Sequence, residues 1–295
     1  MGMIIDKLKG GKVLVSDGAW GTFLQAKGLK AGECPELWNV SRPEDVQEIA
    51  QSYVDAGADM IETNSFGGSS IKLAGYGLAD RAYELNYEAA RLSKIAAGPD
   101  KFVLGSIGPC GKMLLMGETT PQEISNSFSE QAKALAEGGA DALLIETMTD
   151  LEEALLAVRA ARESTDKEVF CTMTFDKTVD GAFKTMMGIS PAEMVEQVVK
   201  AGAAMIGANC GNGIKDMVGV VKEIRAADSD IPILIHANAG MPIYRDGATV
   251  FPESPQEMCV MAPALIEAGA NVVGGCCGTT PEHIHQLAML IRNEG

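Results

Sequence analysis

The sequence predicts a single (β/α)8 TIM barrel, an α/β fold, and three observations carry that expectation. A short pattern recurs four times, as AGADMIETN (56–64), GGADALLIET (138–147), AGAAMIGANC (201–210) and AGANVVGGCC (268–277). Amphipathic stretches such as PEDVQEIAQSYVDAG and SPAEMVEQVVKAG precede the repeats. Four further apolar strands lie between the copies, near Val13, Val103, Phe170 and Ile233. Eight buried strands alternating with helices fit a closed barrel better than an open doubly wound sheet.

Each repeat opens with a glycine suited to the left-handed cap of the helix just finished. A short apolar run follows, which reads as a strand buried on both faces. Ser-Pro and Arg-Pro pairs open the amphipathic stretches and fit helix N-termini. The repeats therefore mark the even-numbered strands. No linker, low-complexity segment or break in composition interrupts the 295 residues, so residues 1–295 are expected to form one domain.

Composition narrows the function. A chain 46% hydrophobic and 22% charged is ordinary globular protein. A net charge of −16 repels phosphate backbones and anionic lipid, which argues against nucleic acid or a membrane surface as partner. No apolar run reaches the roughly 18–20 residues needed to cross a bilayer, and MGMIIDKLKGGK is no secretory signal, so a cytoplasmic location is expected. Seven cysteines, two of them adjacent, are not a disulfide framework.

Barrel enzymes place their chemistry at the C-terminal ends of the strands. Cys210 ends the sixth strand, and Cys276 with Cys277 ends the eighth. Neighbouring residues in a regular strand point to opposite faces, so both members of the pair can face one centre only if the chain turns. Gly274, Gly275 and Gly278 allow that turn. Three thiolates with a fourth position open suit a catalytic Zn²⁺. Buried cysteines acting as small hydrophobes are the competing reading, and a redox pair lacks its CxxC spacing. Cys34 and Cys259 read as packing or surface residues, Cys171 as strand core, and Cys110 as an extra thiol near the mouth.

Other strand ends carry softer signals. Glu146 closes a fully apolar strand, where an unpaired carboxylate is costly, so a functional role is favoured. Glu62 holds the matching place in the second strand, with a structural partner as the alternative to a functional role. Asp17 is either a turn residue or a site residue. Asn238 has three open roles: bonding substrate, filling the zinc position, or orienting a loop. His236 reads as a barrel histidine with its bonds satisfied. Thr279 or Thr280 reads as a helix cap, and His283 and His285 as helix residues facing away from the thiols.

DGAWGT (17–22), ETNSFGG (62–68), GANCG (207–211) and GGCCGTTPEHI (274–284) resemble the zinc-dependent homocysteine S-methyltransferase family, over about Val13 to Ile291. MTFDKTVDGAFKTMMGISP and HANAGMPIYRDGATVFPESP look like the homocysteine-binding module of cobalamin-dependent methionine synthase. The resemblance implies zinc on Cys210, Cys276 and Cys277, with the homocysteine sulfur as fourth ligand. It implies the substrate carboxylate on backbone amides around Asp17 and Gly18, and Glu146 facing the ammonium. Asp17, Asn64 and Asn209 match pocket positions of the family without assigned contacts.

The implied product is methionine. The implied donor is a methylated corrinoid, either methylcobalamin or a separate corrinoid protein, because the folate, cobalamin and reactivation modules of the full synthase do not follow in this sequence. S-methylmethionine or betaine as donor, a non-catalytic homocysteine-binding subunit, and a structural zinc barrel are the alternatives. Zinc deprotonates a bound thiol. Three protein thiolates already leave the centre net negative, so a fourth sulfur keeps its electron density and can attack a methyl group in line.

Overall fold

The computed structural model describes residues 3–245 and 248–293. Eight parallel strands form one sheet: β1 (Leu14–Val15), β2 (Met60–Glu62), β3 (Phe102–Ile107), β4 (Ala142–Met148), β5 (Glu168–Met173), β6 (Met205–Gly213), β7 (Ile233–Asn238) and β8 (Val272–Gly275). Their order around the sheet is β1-β8-β7-β6-β5-β4-β3-β2, and a bridge between Ser16 and Met60 closes the ring. The repeats lie on β2, β4, β6 and β8, as their spacing predicts.

The repeat has a physical meaning beyond hydrophobicity. Its glycines Gly57, Gly139, Gly202 and Gly269 all have φ between +100° and +115°, just beyond the helices they terminate. Two positions later, Asp59, Asp141 and Asn271 accept the backbone N–H of Val15, Val103 and Ile233 at 3.0, 2.8 and 2.9 Å. Their own amides donate back to the carbonyls of those same three residues. Each side chain thus fixes the start of the neighbouring odd strand. The third copy has Ala204 there and keeps only the backbone half, to the Val169 carbonyl.

Helix starts follow the proline signals. Thr120, Ser190 and Ser254 each form a capping box with the glutamate three residues on, ahead of Pro121, Pro191 and Pro255. The helix Pro43–Asp55 also starts at its proline, but Arg42 makes no side-chain cap. Two hairpins, Asp176–Lys177 with Phe183–Lys184 and Ile243–Arg245 with Ala248–Val250, project after β5 and β7.

Side chains alternate along the strands. Val15, Ile61, Val103, Leu143, Val169, Ile206, Ile235 and Val273 face outward into the large core beneath the helices. Leu14, Met60, Leu104, Leu144, Phe170, Met205, Leu234 and Val272 fill the barrel interior, one from each strand. Helix Met3–Lys7 plugs the bottom with Ile4, and Glu168 accepts the amides of Ile4 and Ile5 at 2.9 and 3.2 Å. Among the described residues, no helix is long and apolar enough to cross a membrane.

Candidate metal centre and its cavity

Two strand ends depart from regular geometry, and both lie at the mouth. The register of β6 against β7 shifts between Asn209 and Gly213, and Cys210 has φ +58°. The register of β4 against β5 shifts between Ile145 and Met148, and Thr147 has φ +59°. They are the two non-glycine residues with positive φ among the described residues. A bulge re-aims side chains that a regular strand would alternate.

The cysteine pair sits directly after β8, in a turn. The Cys276 amide donates to the Ala237 carbonyl at 2.7 Å, and the Ala239 amide donates to the Cys277 carbonyl at 3.0 Å. Gly278 has φ +80°, and a Cβ there would lie 2.2 Å from Phe251, so only glycine fits. Thr279 braces the turn by donating its hydroxyl to the Cys276 carbonyl at 2.7 Å while accepting the Ala19 amide at 3.1 Å.

The three sulfurs lie within 4.8 Å of one another, with Cys210 and Cys277 4.0 Å apart. Thiolates around a tetrahedral zinc, with Zn–S near 2.3 Å, sit about 3.8 Å apart, so the trio fits such an ion with small adjustments. Hydrogen bonds from Cys276 and Cys277 hold the Cys210 thiol well below its ordinary range. The same bonds push Cys276 and Cys277 up.

The thiols open on a cavity of about 250 Å³, lined also by Gly18, Trp20, Glu36, Glu62, Asn64, Phe66, Glu146 and His236. Its inner wall includes Glu62 and Glu146, and Asp17 lies buried behind them without lining the cavity itself. Asp17 accepts the Trp20 indole N–H at 2.9 Å and the Glu62 amide at 2.8 Å. Burial and the neighbouring Glu62 push its carboxyl up to about 7. Burial pushes Glu62 up to about 8. Burial, reinforced by Glu62, also raises Glu146 well above the carboxylate range, although Ser106 donates its hydroxyl to it. Among the described residues, no lysine or arginine lines the cavity. A cation in the cavity would offset the burial that raises Glu62 and Glu146.

Each predicted position has a definite place. Gly18 lines the cavity at the turn leading to helix Gly21–Ala26, whose first amides have no intrahelical partner. Asn64 lines the cavity too, but its amide donates to Pro35 O at 2.8 Å and Asn39 Oδ1 at 3.0 Å, locking the loop after β2 to the segment around Glu36. Asn209 is fully buried behind the wall. Asn238 is buried with its Oδ1 unpartnered, and its side chain also lowers the Cys210 thiol by hydrogen bonding.

Several expectations need correction. His236 is not a satisfied histidine: Nδ1 lies 3.1 Å from Glu62 Oε1, but Nε2 has no partner, because no acceptor reaches it inside the barrel. Glu62 stands beside it as the nearest carboxyl group, without a hydrogen bond to the glutamate Oε1. Thr279 is a brace, whereas Thr280 meets His283 Nδ1 at 2.9 Å at the helix start. His283 also reaches the Glu253 carbonyl at 3.1 Å, so it faces away from the thiols, and His285 is exposed. Cys34 and Cys110 are both buried, and the Cys110 sulfur donates to the Lys112 carbonyl at 3.7 Å. Trp20, Glu36 and Phe66 are cavity residues that sequence reasoning missed. Glu36 accepts the Gly67 amide at 2.6 Å, a contact with no periodic signature.

Fold and cavity together describe a (β/α)8 barrel with three thiols clustered at its strand ends. The family model for homocysteine S-methyltransferases matches residues 14–291, and the chain belongs to that family. It is 34% identical over 300 residues to methionine synthase of Mycobacterium tuberculosis, covering 96% of this chain and 25% of the relative. Methionine synthase of Mycobacterium leprae is 33% identical over 294 residues, covering 95% and 24%. The chain thus spans about a quarter of the length of the curated relatives it matches. The metallated crystal structure of the homocysteine methyltransferase MmuM from Escherichia coli shares the fold, with TM-score 0.79, 21% identity, and coverage of 96% of this chain and 98% of that one.

Proposed function

We propose that the chain transfers a methyl group to the sulfur of homocysteine, giving methionine, with Zn²⁺ held by Cys210, Cys276 and Cys277. The observation that carries this reading is the pairing of two ends in one cavity: three convergent thiols, and a carboxyl wall with, among the described residues, no lysine or arginine. That combination suits a small molecule bearing both a thiol and an ammonium group. The ammonium supplies the cation that lets Glu146 ionise. Gly18 and the amides opening helix Gly21–Ala26 offer donors to the substrate carboxylate. Trp20 and Phe66 give the cavity apolar surface for the methylene chain of such a molecule.

When bound, zinc supplies the Lewis acidity that brings a thiol to its nucleophilic thiolate form at neutral pH. The donor in this reading is a methylated corrinoid, free or on a separate protein, in keeping with the likeness of residues 173–191 and 236–255 to the methionine synthase module. A donor panel on zinc-loaded protein with homocysteine tests it. Methionine should form from methylcobalamin, and Cys276→Ser should form none. Turnover with S-methylmethionine or betaine alone would replace the donor and keep the acceptor. Homocysteine binding with no transfer from any donor would make the chain a binding subunit instead.

A further inference from the structure

The two left-handed strand ends share one side chain. Asn209 Oδ1 accepts the Thr147 amide at 2.8 Å and the Thr172 hydroxyl at 2.7 Å. Its Nδ2 donates to Thr147 Oγ1 at 2.7 Å, and lies 3.4 Å from Glu146 Oε2 and 3.9 Å from Cys276 Sγ. Its carbonyl accepts the Thr174 hydroxyl at 3.0 Å, and Cys210 is the next residue in the chain. β4 and β6 are not neighbours in the sheet; β5 lies between them, so this amide spans three strands. A non-glycine residue held in left-handed backbone costs on the order of 1–3 kcal/mol and persists only where its surroundings over-determine it. Asn209 is what the two such residues have in common.

We infer that Asn209 is a positioning residue that sets the thiol trio and the Glu146 end of the cavity as one rigid unit. The inference rests on the metal and substrate reading above. Asparagine is suited to the task because one planar group both accepts and donates. Aspartate keeps the accepted bonds but loses the donated ones, and brings a second carboxylate beside Glu146. Alanine leaves the buried Thr147 amide and Thr172 hydroxyl without that partner.

The test uses metal-free protein titrated with Co²⁺, read by thiolate-to-cobalt charge-transfer absorption. Homocysteine and 2-mercaptoethanol are then bound to the cobalt-saturated protein. Asn209→Ala should lower Co²⁺ affinity about 10- to 100-fold, the range found when groups behind metal ligands are removed. On saturated protein it should also weaken homocysteine about 10-fold or more, while the affinity for 2-mercaptoethanol, which has no ammonium, stays unchanged. Thr172→Val removes one accepted bond and should move the Co²⁺ and homocysteine affinities in the same direction by less; it gives the same reading if Asn209→Ala does not fold. Loss of Co²⁺ affinity with unchanged homocysteine binding, or equal loss of both thiols, overturns the inference. Wild-type protein that takes up no Co²⁺ overturns the metal reading as well, whereas normal wild-type uptake matched by Asn209→Ala overturns the inference alone.

Discussion

The floor of the barrel and the layer directly above it are built by the same eight strands, two residues apart, yet they share almost no chemistry. Leu14, Met60, Leu104, Leu144, Phe170, Met205, Leu234 and Val272 form the floor. Two residues on along each strand stand Ser16, Glu62, Ser106, Glu146, Thr172, Gly207, His236 and Gly274. Two residues of strand rise about 6.6 Å and return to the same face, so the interior changes from fully apolar to polar or glycine in one step. The floor is held by packing, which needs only volume. The upper layer holds titratable groups out of water and depends on specific partners.

The largest effect that would sharpen this contrast belongs to the thiols above both layers. Cys276→Ser should abolish metal uptake and methyl transfer while the protein still folds, since backbone bonds and Thr279 hold that turn without the thiol. Metal stoichiometry, turnover and circular dichroism together check it. In the floor the pattern reverses. Phe170→Ala should cost about 3–5 kcal/mol of stability in denaturant unfolding and leave metal uptake per folded chain unchanged. If Phe170→Ala instead removed the metal, the two layers would not be separable.

The upper layer also predicts a pH dependence. Glu62 is raised to about 8 and Asp17 to about 7, above their unfolded values, so the folded protein binds protons that the unfolded chain has released. Stability from such groups is complete below the unfolded pKa and is lost as pH rises through the folded one. His236, lowered by burial, acts in the opposite sense below about pH 6.5, and Cys210, held well below its ordinary range, does so across the whole window, so the carboxyls are read from the difference between wild type and variant. Between about pH 6.5 and 8, each carboxyl still protonated in the fold contributes a loss of about 1.4 kcal/mol per pH unit to metal-free protein. Glu62→Gln should shift the slope of stability against pH by one group in the positive direction; an unchanged slope would remove Glu62 from the account. The smallest effect is expected at the periphery, where His285→Ala should shift stability by less than about 0.5 kcal/mol and leave metal uptake intact.

Sequence and structure agree where a rule is local. Gly57, Gly139, Gly202 and Gly269 announce helix ends because left-handed backbone favours glycine, and the apolar runs after them announce buried strands. The thiol trio was legible because cysteines that end two even-numbered strands, with glycines beside them, converge once the strands close into a barrel. The left-handed backbone of Cys210 and Thr147 was not legible, since neither residue prefers it and only the packed barrel imposes it. The role of Asn209 was hidden for the same reason, because its partners lie 62 and 37 residues away. Asp59, Asp141 and Asn271 were visible as part of a repeat, but their bonds to the preceding strands needed the fold.

Asp17 does more than back the cavity wall. β1 meets β2 through one bridge and two carboxylates: Asp59 holds the amide of Val15, and Asp17 holds the amide of Glu62. Other neighbouring strands are joined by ladders of three to five paired residues or, at β1 and β8, by two. The ring is therefore stitched at its thinnest seam by the same carboxyl that lies against the cavity wall. The exchange rate of the Glu62 amide proton becomes a reporter on Asp17, and a ligand that changes the charge of that wall will be heard as a change in how tightly the barrel is shut.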